Sequence, residues 1–278
     1  MKLEIDIHAM TTTMASQSGL RPLIFEVFDL ASEDMPSLPI SSPNNWLRTV
    51  GYLRLRPMNA KTSSFGVDSG QIAVEHLGLV DYKKAWEYQR EIQAGVIEGQ
   101  IPNTLILVEH HSVYTAGRRT QIDERPIDGT PVIDVDRGGK ITWHGEGQIV
   151  GYPIVKLRNR NDVVGFVREI ENALIDVCAE FDLKTERYCE RSGVWIRDSK
   201  SDRKIAAIGI RVAKGVTMHG FALNINPDLT AYDHISPCGF TDTGVTSLAK
   251  ELGKDISIEE VIPVLERHLL SALERISV

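Results

Sequence analysis

Cysteine is scarce. The 278 residues hold three, Cys178, Cys189 and Cys238. An odd number cannot pair completely and does not read as a disulfide framework; such usage suits a reducing compartment. No Cys-x-x-Cys and no His-x-x-x-His pair occurs, so neither a metal nor another cofactor is expected. No apolar run approaches the roughly 18 residues that a membrane helix requires. The opening MKLEIDIHAM lacks the apolar segment of a secretory signal. The acidic Glu4, Asp6, Glu26, Asp29, Glu33 and Asp34 speak against a mitochondrial transit peptide. A cytoplasmic protein without membrane attachment is the expectation. A basic run with interleaved aromatics is missing too, which argues against nucleic acid as a partner.

What is present is ordinary for a globular chain: 42 % hydrophobic and 25 % charged residues. Charge is uneven, however. Arg137 to Lys214 holds 15 Lys and Arg against 11 Asp and Glu, a net of +4 in a chain that totals −7. A basic middle in an acidic chain can attract an acidic partner. Residues 1–68 have scattered prolines, Ser/Thr clusters and no sustained period, and read as a poorly ordered extension. The folded unit is expected over 69–278.

Within it the pattern is legible. Gln71–Leu77 alternates like a strand. Asp81 is a cap for a helix whose face is Tyr82, Ala85, Trp86, Gln89, Ile92 and Val96, closed by Gly99 and Pro102. Thr104–Val108 is a buried strand, and Val132–Val135 is a strand after the Asp128-Gly129 turn. Val163, Val167, Ile170, Leu174, Val177, Cys178 and Phe181 mark a second helix face, which places Cys178 in the core. Gly193–Ile196, the run from Lys204 (KIAAIGIRV) and Met218–Asn224 are strands. Ser247–Leu252 is a short helix. Ser257 and Glu260 form a capping box before a last helix that buries Val261, Val264, Leu265 and Leu269.

Two stretches carry chemistry. Arg137–Pro153 (RGGKITWHGEGQIVGYP) interrupts strand-like residues with four glycines. It reads as two strands that pinch, with Arg137 and His144 beside the pinch; a plain hairpin with polar bends is the alternative. Cys238 stands in a loop between Pro237 and Gly239, where a backbone N–H can serve as an oxyanion donor. The thiolate is the reactive form, and a nearby cation lowers a thiol pKa. Lys204 provides that cation if the fold brings it close.

Taken together, RGGKITWHGEGQIVGYPI, GVW, KIAAIGIR, HGFALN and PCGF, in this order, closely resemble the lipoyl(octanoyl) transferases of lipoate biosynthesis. These belong to the biotin/lipoate protein ligase-like superfamily. The resemblance covers about residues 71–278 and includes HLGLVDY and VYTAGRR. It implies an α/β fold with a mixed sheet flanked by helices. The implied activity moves an octanoyl group from octanoyl-acyl carrier protein to a lysine of lipoyl domains. The acceptors would be the lipoyl domains of 2-oxoacid dehydrogenases and the glycine cleavage H protein. By position the acyl-thioester cysteine is Cys238, and the lysine that lowers its pKa is Lys204. The substrate-binding segments are Arg137, Gly138, Gly139, Lys140, Ile141, Thr142, Trp143 and His144, then Ala207, Ile208 and Gly209, then Gly220, Phe221 and Ala222. The reaction is ping-pong and needs no ATP. Small residues suit the walls of an acyl slot. Arg118, Arg119, Arg158 and Arg160 are rim candidates for an acidic carrier.

One position departs from the family pattern: Glu146 stands where proline is usual, losing a fixed φ and adding a charge near the pocket. Residues 1–68 have no counterpart in that pattern. The rival readings are an ATP-dependent lipoate or biotin protein ligase, which needs no cysteine, and a non-catalytic binder of acyl carriers or lipoyl domains. Cys238 in its Pro-Cys-Gly loop argues against the first, and the presence of both Cys238 and Lys204 argues against the second.

Overall fold

A computed structural model describes residues 72–126, 129–188, 191–199, 201–235 and 243–278. The expected irregular segment 1–68 lies outside these residues, as do Cys189 and Cys238. In chain order the elements are β1 (Ala73–Leu79), α1 (Tyr82–Glu98), β2 (Thr104–Glu109), β3 (Val113–Ala116), β4 (Val132–Asp134), β5 (Thr142–His144) and β6 (Gln148–Ile154). They continue with α2 (Val163–Glu180), β7 (Glu186–Tyr188), β8 (Arg191–Ile196), β9 (Asp202–Ala213), β10 (Val216–Asn224), β11 (Thr243–Val245), α3 (Leu248–Leu252) and α4 (Ile258–Ile276).

The main sheet has the order β1-β2-β6-β10-β9-β8-β7, with β11 added beside the first residues of β9. β1 pairs with β2 and β11 with β9 in parallel, and the other neighbours are antiparallel. The sheet is therefore mixed, as expected. A second sheet, β4-β3-β5, is small.

Strand alternation sorts side chains to the two faces. Leu105 and Leu107 of β2 and Ile149 of β6 join the core beneath α2 and α4. Their neighbours Ile106, Val108, Val150, Tyr152 and Ile154 enter the opposite core, under α1. Both helical layers start where the capping residues put them. The Asp81 carboxylate accepts from the Lys83 and Lys84 amides at 3.0 and 3.2 Å. Ser257 and Glu260 make the reciprocal box that opens α4. Cys178 is fully buried in the larger core.

The expected pinch is corrected here. β5 and β6 do not pair: β5 lies in the small sheet against β3, and β6 in the main sheet between β2 and β10. The turn Gly145–Gly147 hands the chain from one sheet to the other. The two sheets thereby face each other across a gap, and α1 packs over β6 and β10 beside it.

Gly220 of β10 shows how tightly the main sheet is assembled. A Cβ there would sit 2.0 Å from the Gly151 carbonyl oxygen and 2.7 Å from Pro153 Cδ. Gly220→Ala should therefore destabilise the fold by about 1–3 kcal/mol through overpacking. At Gly244 an added Cβ meets only Arg203 Cγ, at an ordinary 3.6 Å. Gly244→Ala should shift stability by less than about 0.5 kcal/mol. Thermal denaturation of the two variants checks the contrast.

Candidate active site

Between the sheets lies a cavity of about 370 Å³. Its floor is the α1-side face of the main sheet: Val150 and Tyr152 from β6, Gly220 and Ala222 from β10, and Ala207 and Gly209 from β9. Its roof is Gly139–Thr142 with His144, and Arg137 lies at the side. Small residues cover the middle of the floor for a packing reason. Gly138 N–H donates to the Ile210 carbonyl at 3.0 Å, so the glycine-rich segment rests directly on β9. A Cβ on Gly209 would approach Gly138 O and Arg137 Cδ to 3.0 Å.

Arg137 is buried, and its guanidinium donates to four oxygens. Nη1 reaches Gly138 O at 3.0 Å and Lys140 O at 2.8 Å. Nη2 reaches Thr115 O at 2.7 Å and Thr115 Oγ1 at 2.9 Å. Among the described residues no carboxylate pairs with it. Burial lowers its pKa, but a guanidinium keeps its proton in a protein. The result is a fixed cation held by neutral dipoles at the cavity side.

The hydrogen bonds run on from there. Thr115 Oγ1 lies 3.2 Å from His144 Nε2, and His144 Nδ1 lies 2.8 Å from Gln148 Oε1. The Gln148 oxygen only accepts, so Nδ1 carries the proton and Nε2 accepts from Thr115. Gln148 Nε2 donates to Asn224 Oδ1 at 2.8 Å, and Asn224 Nδ2 donates to the Thr246 carbonyl at 2.9 Å. Burial pushes the His144 pKa down to about 3, so the ring is neutral. His110 behaves alike, lowered by burial to about 4, its Nδ1 on Val80 O and its Nε2 on Tyr152 OH, both at 2.7 Å. Tyr82 stacks on His144 with ring centroids 5.6 Å apart, and burial raises its pKa to about 12. Beside the Arg137 cation, the rings at this end of the cavity are neutral.

Lys204 stands at the other end, half-buried. Its Nζ lies 4.5 Å from the centroid of the Trp195 ring, and among the described residues no carboxylate pairs with it. β9 has one extra residue here. Val194 faces Ala206 and Trp195 faces Lys204, so Ile205 has no partner on β8. This β-bulge sends both Ile205 and Ala206 into the core and turns Lys204 to the cavity face with Ala207 and Gly209. β11 runs along the same stretch, with Val245 opposite Lys204 and Thr243 opposite Asp202.

Most of the expected binding residues line the cavity, but not all by their side chains. Trp143 points into a separate cluster with Tyr114, Ile141 and Ile235, its Nε1 on Ser112 Oγ at 2.9 Å. A Cβ on Gly145 would collide with the Trp143 ring at 2.0 Å, so that glycine serves the indole and not a ligand. Lys140 is held by an ion pair with Glu124, which ties the loop after β3 to the roof. Arg119 reaches the cavity, whereas Arg158 and Arg160 lie elsewhere: Arg158 donates to Ser277 O, and Arg160 packs on Gly215 in the β9–β10 turn. Glu146 faces outward, 3.6 Å from His111. Sequence reasoning missed Tyr82, Tyr152, Asn224 and His219 as cavity residues. Tyr82 directly follows the Asp81 cap and His219 directly precedes Gly220, which is the only local signal.

The comparisons with known proteins bear on this geometry. The lipoyl protein ligase A/B catalytic domain matches residues 81–270. The chain belongs to that family. Curated relatives include an octanoyltransferase of Salinispora tropica, 56 % identical over 205 residues, 73 % of this chain and 96 % of the relative. Another, of Streptomyces coelicolor, is 52 % identical over 236 residues, 70 % of this chain and 89 % of the relative. A third, of Rhodococcus opacus, is 52 % identical over 223 residues, 78 % and 86 %. Among solved structures, a lipoate-protein ligase A bound with ATP superposes with a TM-score of 0.59 at 16 % identity, covering 73 % of this chain and 85 % of that one. The bipartite lipoate protein ligase of Thermoplasma acidophilum gives 0.55 at 16 %, covering 73 % and 83 %. These two likenesses establish the fold, which is that of the lipoate protein ligases. Among the described residues no helix is long and apolar enough to cross a membrane.

The buried neutral histidines predict a pH dependence. Unfolded, each titrates near about 6.5. Folded, His110 and His144 titrate at about 4 and about 3. Depressed folded values mean that the unfolded state binds more protons, so stability is present above about 6.5 and is lost as pH falls toward 3–4. His110→Gln should flatten this loss by on the order of 1–3 kcal/mol between pH 6.5 and 4. Urea denaturation at stepped pH measures it, and an unchanged slope would show that His110 is not titrating there.

Proposed function

We propose that the chain transfers an octanoyl group from octanoyl-acyl carrier protein to the target lysine of lipoyl domains, through a thioester on Cys238. Such domains occur in 2-oxoacid dehydrogenases and in the glycine cleavage H protein, and the setting is cytoplasmic. The observation that carries this reading is Lys204. Its ammonium is turned to the cavity by the Ile205 bulge and stands beside β11. Cys238 comes five residues before Thr243, so chain length alone keeps it within about 18 Å of that strand. The curated relatives named octanoyltransferase support the same activity.

In this reading the Cys238 thiolate attacks the carrier's thioester carbonyl. The carrier's thiolate leaves with a proton taken from the Lys204 ammonium, so the octanoyl group stays on Cys238 as a thioester and Lys204 is left as a neutral amine. The acceptor lysine amine then attacks that carbonyl, loses its proton to Lys204, and departs as the amide while Cys238 leaves as thiolate. An ammonium near the sulfur favours the thiolate, since opposite charges within a few ångströms stabilise the ionised form. The small floor residues and neutral rings of the cavity suit an apolar chain. Arg118 and Arg119, on the loop tied to the roof, suit an acidic carrier. Residues 69–278 form the transferase unit. The relatives support this, spending 86–96 % of their own length on 70–78 % of this chain.

Intact mass after incubation with octanoyl-acyl carrier protein, without ATP, is the test. A mass gain of one octanoyl group that disappears in Cys238→Ala is expected. Dependence of transfer on ATP would favour a ligase instead. Lys204→Ala should raise the pH at which Cys238 is alkylated by about one unit or more. An unchanged alkylation profile would remove the lysine from this role.

Deleting residues 1–68 should leave loading and transfer within about twofold of the full chain. Loss of soluble, active protein would show that the extension belongs to the catalytic unit.

A further inference from the structure

His219 departs from its strand in a way that calls for a reason. It has φ +60°, in the left-handed region, yet it sits inside β10 between two residues in regular register with β9. The other described non-glycine residues with positive φ are Asp182, just after α2, and Lys214, in the β9–β10 turn. Turns accept that conformation readily; a strand interior does not, and such strain concentrates at functional sites. The consequence is one of direction. By alternation with Phe221 and Leu223, which enter the larger core, residue 219 would face the same way. Instead its ring lies 6.1 Å from Trp86 of α1 and borders the cavity with Gly220 and Ala222.

Beyond α1, the side-chain bond that His219 makes there goes to the residue that starts the glycine-rich segment. Nε2 lies 2.7 Å from Asp136 Oδ1, and Arg211 Nη1 holds the other carboxylate oxygen at 2.6 Å. The backbone N–H of His219 has no β6 partner at this rung, and the Gln89 side chain of α1 accepts it at 3.0 Å. Asp136 is kept ionised by the His219 hydrogen bond first and by Arg211 as well. It therefore only accepts, which fixes the proton on Nε2 and leaves Nδ1, buried and without a partner among the described residues, as a lone pair. Asp136 directly precedes Arg137. Three bonds thus pin the start of the roof to the main sheet: His219 to Asp136, Arg211 to Asp136, and Gly138 N–H to Ile210 O.

We propose that His219 and Asp136 are positioning residues for acyl binding: the strained histidine reaches out of β10 to lock the Asp136–Gly139 segment over β9, and so sets where Arg137 and the roof meet the acyl chain. The lock is made at Ile210 and Arg211 of β9, six and seven positions from Lys204, so it acts on binding and not on the thiol. This rests on the acyl-transfer reading only for its activity readout.

The test uses the full chain with His219→Ala, His219→Gln and Asp136→Asn. Hydrogen exchange of the peptide spanning Gly138 reads the lock without any substrate. Exchange should accelerate about tenfold in His219→Ala and Asp136→Asn and return toward wild type in His219→Gln, whose amide N–H can still donate to Asp136. In loading assays the KM for octanoyl-acyl carrier protein should rise about tenfold in the first two variants, with Cys238 alkylation rates unchanged. Unaltered exchange in a folded His219→Ala overturns the proposal. So does a glutamine variant that behaves like alanine with an equal fall in Tm, because that marks a merely structural residue. If wild-type protein fails to load octanoate while the exchange pattern appears, the lock stands and the acyl reading falls.

Discussion

The site depends on burying one cation that cannot give up its charge. Taking a guanidinium out of water is costly unless its donors are satisfied. At Arg137 two carbonyls of its own segment, and the carbonyl and hydroxyl of Thr115 on β3, supply the acceptors. Those acceptors exist only while the glycine-rich segment lies flat on β9 with the small sheet above it. Gly117 and Gly209 are glycines for that reason. A Cβ on Gly117 would come 2.5 Å from Gly139 O and 2.7 Å from Arg137 Nη1. The cation, the roof and the small sheet therefore stand or fall together.

Around this cation the buried titratable rings stay neutral. His110 and His144 stay neutral because burial outweighs every favourable hydrogen bond they make, and Tyr82 stays protonated for the same reason. The imidazole nitrogens are spent on Val80, Tyr152, Thr115 and Gln148, which fixes the orientation of both rings. Hydrogen-bonded rings in a dry site hold a shape better than aliphatic side chains, since each bond fixes an orientation as well as a contact. At the opposite end Lys204 is half-exposed over Trp195, where an ammonium keeps part of its hydration and gains from the ring face. Neutral rings and small floor residues suit an apolar tail, while Arg137 and Lys204 supply positive charge for a polar head.

Much of this was legible from residues alone, and the failures have physical causes. Caps and periodicities placed α1, α2 and α4, because a carboxylate or hydroxyl before an apolar face has few other uses. β7 and β11 went unread: three-residue strands carry too little pattern, and pairing alone defines them. The pinch of two strands expected over Arg137–Pro153 failed because the turn Gly145–Gly147 looks the same whether its strands stay together or part. Glu146 proved harmless to the loop's anchoring. Gly147 N–H donates to Glu109 Oε2 at 2.9 Å, and its carbonyl accepts from Ile225 and Asn226, so the turn is held without proline's ring.

The sequence by itself determined the layers, the capped helices, the family and the segments that line the cavity. It did so because apolar periodicity and glycine placement are local and each has one cheap solution. Only the tertiary structure decided which way the two exceptional side chains point. Period-two alternation would set Lys204 on the opposite face from Ala207 and Gly209, and His219 on the opposite face from Gly220 and Ala222. One extra residue at Ile205 reverses the first, and a left-handed backbone at His219 reverses the second. Neither device has a local signature. A bulge exists only against a partner strand, and an alanine-rich neighbour or a following glycine permits such a departure without requiring it. What imposes it is the packing on both faces: a core that takes Ile205 and Ala206 together, and an aspartate at the start of the segment resting on β9 that His219 must reach.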